Sequence, residues 1–132
     1  MQPGIQAYAK TQSLSLSQRE LEARVLLKAA SKLQALKENW DPNVMAMDDA
    51  LTHNRKVWTI FLAAALEEDC PLPADIRKNI ISLGQFVINN CMKMLFEPNR
   101  SKLDLLIEIN QNMAAGLRGN AQAELRQVAQ AS

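Results

Sequence analysis

The sequence predicts an all-α protein, a small antiparallel bundle of about four helices with a flexible C-terminal tail. Three observations carry that prediction. Helix formers (Ala, Leu, Gln, Lys, Glu, Met) fill long stretches, and 48% of the 132 residues are apolar, enough for one sizeable core. Apolar residues recur at intervals of three and four rather than alternating as in a strand. Proline-bearing breaks divide the chain into four segments without internal repeats or low-complexity tracts. A single helical domain is expected over 1–118, followed by a tail at 119–132 that is rich in Ala and Gln and has little apolar surface to dock.

The first helix is expected over 18–38. Ser17 and Glu20 have capping-box spacing, Leu16 and Leu21 flank them as a hydrophobic staple, and Leu21, Val25, Ala29, Leu33 and Leu36 form the inward stripe. Before it, Ile5 to Lys10 is read as a helical turn that docks Tyr8. Asp41 and Pro42 read as the cap and first position of a second helix, expected over 44–68, with Met47, Leu51, Asn54, Trp58, Phe61 and Ala65 as its stripe. Glu67, Glu68 and Asp69 crowd its C-terminus against the helix dipole; either Arg77 and Lys78 compensate or the acidic end is solvated. Pro73 opens the third helix, expected over 74–96, which is apolar nearly all round. The fourth is expected over 102–117, buried through Leu103, Leu106, Ile107, Asn110, Met113, Ala114 and Leu117, with Gly116 and Gly119 at its C-terminal end.

Charge and chemistry narrow the function. Fifteen basic residues against fourteen acidic ones give a formal charge of +1, and no basic block marks a nucleic-acid binder. Cys70 and Cys91 stand far apart, and with the lone His53 they cannot supply a metal site, so two reduced thiols are expected. His53 reads as a surface or structural residue rather than a general base. No phosphate loop, nucleophile motif or paired-carboxylate signature is present. The expectation is a non-enzymatic, cofactor-free protein of the cytoplasm, since no apolar run reaches the roughly 20 residues of a membrane span and the N-terminus lacks a secretory signal.

Two features point to protein binding. Helix three carries more apolar surface than its own core needs, so Ile81, Phe86, Ile88, Met92 and Leu95 are expected to line a groove for a partner helix, with the segment around Tyr8 as the second candidate. The methionines at 45, 47, 92, 94 and 113 suit an adaptable surface, or ordinary core filling. Asn54 and Asn110 lie within apolar stripes and need hydrogen-bond partners; they either fix bundle register or line a groove and bond a partner's backbone.

In order along the chain, Ala7-Tyr8-Ala9-Lys10, Arg19-Glu20-Leu21-Glu22-Ala23, Asn54-Arg55-x-x-Trp58, Leu72-Pro73-x-x-Ile76-Arg77, and Leu106-Ile107-x-Ile109-Asn110 followed by Gly116-Leu117 resemble the FlaF family of bacterial flagellar biosynthesis regulators. The resemblance spans roughly residues 5–118; Phe86 stands where the family often carries Trp. It implies a role in flagellin production and export, alongside a counteracting FlbT-type translational regulator. Two mechanisms follow: a secretion chaperone that receives a terminal helix of flagellin, or post-transcriptional control of flagellin mRNA through RNA or a FlbT-type partner. Excess apolar helix surface on a near-neutral chain favours the chaperone.

Overall fold

The computed structural model describes the backbone of residues 3–41 and 43–131, and the side chains of 17–41, 43, 45–121, 126, 129 and 130. Four helices follow in order: α1 (Pro3–Glu38), α2 (Val44–Leu66), α3 (Ala74–Phe96) and α4 (Ser101–Ala131). No strand occurs among the described residues. Neighbours run antiparallel, as cross-helix pairs demonstrate. Glu20 meets Arg118 and Lys37 meets Asp104 between α1 and α4; Arg77 reaches Ala65 between α3 and α2. α1 lies along α4 and α2 along α3; the α1–α2 seam is shorter, and α3 meets α4 only briefly.

Local chemistry accounts for the ends. Asn43, not Asp41, caps α2: its Oδ1 accepts the Met45 amide at 3.1 Å, while Asp41 accepts the Asn43 amide at 3.0 Å. Asn43 stands directly before the first turn and so holds the cap, and the expected Asp41 cap is displaced by two residues. Pro73 is the N-cap residue of α3, its carbonyl accepting the Arg77 amide at 2.9 Å. Asn99 accepts both the amide and the hydroxyl of Ser101 where α4 starts. Arginines from distant segments satisfy the carbonyls at two C-termini. Arg100 donates to Lys37 O at 2.9 Å at the end of α1, and Arg77 to Ala65 O at 2.6 Å and Glu67 O at 3.1 Å at the end of α2.

α1 corrects the expected boundary. It runs unbroken from Pro3, so Ser17 lies in its interior and the capping-box reading fails. Residues 5–16 contain neither Pro nor Gly, and nothing stops the ladder from propagating back through them. Of the expected stripe, Ala29, Leu33 and Leu36 are buried, whereas Leu21 and Val25 are exposed and Ala23, Leu26 and Ala30 are buried in their place. Ala23 and Ala30 on the buried face are less conspicuous in the sequence than the aliphatics at 21 and 25.

α4 likewise continues past Gly116 and Gly119 to Ala131. No glycine among the described residues has positive φ, so neither serves as a left-handed cap, and the Ala- and Gln-rich sequence beyond has good helix propensity. The expected stripes on α2 and α4 are buried in full. On α3 the core takes Ile76, Ile80, Val87, Cys91 and Met94, together with Gly84. A Cβ at Gly84 would lie 3.2–3.4 Å from the Leu62 side chain, so glycine here permits the close approach of α3 to α2.

Because Ser17 is a mid-helix residue, Ser17→Ala should change stability by no more than about 0.5 kcal/mol in urea denaturation. A loss in the roughly 0.5–2 kcal/mol range of an N-cap deletion would place a helix start at Ser17 after all.

Candidate functional site

The centre of the bundle is a chain of hydrogen bonds in an otherwise apolar core. Trp58 Nε1 donates to Asn110 Oδ1 at 2.8 Å, Asn110 Nδ2 donates to Asn54 Oδ1 at 2.7 Å, and Asn54 Nδ2 donates to Cys91 Sγ at 3.4 Å. Asn110 Nδ2 also reaches Leu26 O at 3.4 Å, so the chain touches all four helices. An indole N–H can only donate, which fixes the Asn110 oxygen towards Trp58; each following amide is then oriented in turn. Asn54, Trp58 and Asn110 are all fully buried. The two asparagines therefore bond to each other within the fold and line no groove. Burial pushes the Cys91 thiol pKa up, opposed by the Asn54 hydrogen bond.

The other sequence-singled residues divide by environment. Arg55 is half-buried, Leu72 packs against the core, Leu117 is buried and Gly116 exposed. The side chain of Tyr8 lies outside the described residues. The five residues expected to line a groove on α3 fall in different environments. Ile81, Ile88 and Leu95 are partly buried against the core, whereas Phe86 and Met92 are 42% and 46% exposed. Six residues apart, those two side chains point about 120° apart around the helix, so they do not share one patch. Ile81 instead helps line an open pocket of about 470 Å³ beside the α2–α3 loop, with Cys70, Leu72, Arg77, Lys78 and Ser82.

A more apolar recess lies in the seam between α1 and α2. Leu21 and Val25 face Val57, Ile60, Phe61 and Ala64 across a groove of about 350 Å³. Leu21, Val25 and Ile60 are 56%, 39% and 71% exposed, an unusual concentration of aliphatic surface. Gln18 and Glu22 complete the lining. Glu22 is half-buried, and burial raises its carboxyl pKa against the opposing pull of Arg19. Buried Arg19 holds Nε 2.7 Å from Glu22 Oε1, a close ion contact without hydrogen-bond alignment. On the far side of α1, Arg118 donates from Nε and Nη2 to the two carboxylate oxygens of Glu20 at 3.0 and 2.9 Å, and holds that carboxyl below its usual range. This groove is hidden in the sequence because Leu21 and Val25 read as core residues of α1; the apolar Ile60 lying off the α2 stripe is the available signal.

The profile of a family described as Flagellar protein FlaF matches residues 4–117, most of the chain. Comparisons with curated proteins and with solved structures give no significant match.

Asn110→Ala should destabilise the protein by about 1–3 kcal/mol for each partner it strands, Trp58 and Asn54. Replacing both asparagines with Leu should be less harmful than the sum of the single changes, because no amide is then left unpaired; strict additivity in denaturation experiments would contradict the hydrogen-bonded pair. The thiols should also separate under alkylation of the native protein. Half-buried Cys70 should react with iodoacetamide readily, and buried, pKa-raised Cys91 only on unfolding. Equal reaction rates would mean that the core around Cys91 is open.

Proposed function

The chain belongs to the FlaF family of flagellar proteins, and from that premise we propose that it is a flagellin-binding secretion chaperone whose α1–α2 groove receives a terminal helix of flagellin. The observation that supports this reading is the exposed aliphatic cluster of Leu21, Val25 and Ile60 between two parallel ridges of helix. A groove of that form suits an amphipathic helix, whose side chains at i, i+3, i+4 and i+7 enter between the ridges. Covering those side chains keeps a polymerisation-prone helix from self-associating before export. The role requires binding rather than catalysis, and it is exercised in the cytoplasm. No described helix is long and apolar enough to cross a membrane.

Ile60 is the most exposed aliphatic residue of the groove, so Ile60→Asp should leave the helical circular dichroism unchanged and weaken flagellin binding at least tenfold, about the effect of losing one apolar anchor. Phe86→Asp, on α3, should retain binding. The reverse pattern would move the site to α3. Wild-type protein that fails to co-purify with flagellin, and instead binds flagellin leader RNA with a steep salt dependence, would replace the chaperone with the translational regulator.

A further inference from the structure

The apolar groove does not end where its aliphatic lining ends. Along α1 the residues facing α2 continue from Leu21 and Val25 to Lys28 and Lys32, a spacing of 4, 3 and 4 that keeps them on one side of the helix. Along α2 they continue from Ala64 and Ile60 through Lys56 to His53. The helices are antiparallel, so the basic residues gather at the same end of the seam. Their proximity is independently visible at His53. Burial, and then the charges of Lys32, Lys28 and Lys56, lower the imidazole pKa, with Asp49 opposing. Two acidic residues also face this end. Asp49 Oδ2 lies 3.8 Å from Lys32 Nζ, and Asp48 accepts the Thr52 hydroxyl. Lys28 and Lys56, which lie nearest the apolar section, have no ion-pair partner among the described residues.

The seam is thus apolar at Val25 and Ile60 and carries two unpaired cations one helical turn further on, a rise of about 5 Å. We infer that this groove selects an amphipathic helix bearing carboxylates about one turn beyond its apolar anchors, so that Asp or Glu side chains meet Lys28 and Lys56 while aliphatic or aromatic side chains fill the space between Val25 and Ile60. Charge complementarity of this kind sets orientation and rejects wrong partners. A nucleic-acid backbone fits the same lysines less well, because Asp48 and Asp49 adjoin them and the neighbouring lining is aliphatic. The inference rests on the reading that the groove binds a helix, and deepens it by naming the charge of that helix.

The test uses the full chain and two synthetic helical peptides with identical Leu anchors, one carrying Glu and the other Lys one turn beyond them. In fluorescence anisotropy at low salt the acidic peptide should bind about tenfold or more tightly than the basic one, and the difference should shrink at high salt. Lys28→Glu combined with Lys56→Glu changes two exposed, unpaired side chains and should invert the order, so that the basic peptide binds better. Equal binding of the two peptides, binding of neither, an order unchanged in the double variant, or an acidic preference that survives Ile60→Asp would each overturn the inference. So would a short RNA that binds more tightly than the acidic peptide. Because flagellin is absent from this experiment, its outcome is separate from the outcome of flagellin co-purification.

Discussion

The fold depends on one constraint: two carboxamides sealed in an apolar core must bond to each other and to fixed partners. Asn54 and Asn110 are sealed from bulk solvent, and an unsatisfied amide there is expensive. Apolar contacts between helices tolerate sliding, since one aliphatic neighbour substitutes for another. The sequence of donors and acceptors from Trp58 through Asn110 and Asn54 to Cys91 tolerates none. It fixes α2, α3 and α4 axially, and the bond to Leu26 O adds α1. Register in this bundle is therefore set by polar atoms and reinforced by packing.

That constraint has a consequence at the surface. α2 is drawn to α3 by Gly84 against Leu62 and to α4 through Trp58 and Asn110, while α1 is engaged along its length with α4. The α1–α2 seam is left less closely packed beyond the Leu26 level, and there Leu21, Val25 and Ile60 remain uncovered. Surface that the fold leaves unburied is available to a partner at no loss to the core, which is why the proposed helix-binding site falls there rather than on α3. The half-buried Glu22 and its Arg19 contact mark the polar edge of this region, and the lysines at 28 and 56 mark its other end.

Much of this was legible in the residues, and the exceptions have physical causes. The stripes of α2 and α4 could be read because large side chains and asparagines stand together at helical spacing, and both stripes are buried. The family resemblance was carried in part by those same positions, Asn54, Trp58 and Asn110 among them, which here form the hydrogen-bonded chain of the core. On α1 the stripe reads correctly at Ala29, Leu33 and Leu36 but not at Leu21 and Val25, because the buried Ala23 and Ala30 have a weak hydrophobic signature beside those larger aliphatics. The start of α1 was misplaced because a capping box is a local motif, and its side-chain bonds are redundant wherever the preceding residues already supply helix. The groove itself was invisible, since it arises from the relative placement of two helices and not from either helix alone.

If Trp58, Asn110 and Asn54 lock the bundle, their hydrogen-bonded unit opens only when the bundle unfolds. The chain has two tryptophans, so its ¹⁵N-labelled protein gives two indole N–H resonances, those of Trp40 and Trp58. Trp40 is half-buried at the end of α1, whereas Trp58 is fully buried and donates to Asn110. The most direct measurement is hydrogen–deuterium exchange of these two protons. The Trp58 indole should exchange as slowly as the most protected backbone amides, at the rate of global unfolding, and the Trp40 indole orders of magnitude faster. Rapid exchange of both indoles in the folded protein would mean that the Trp58–Asn110 bond opens without unfolding and does not hold the register.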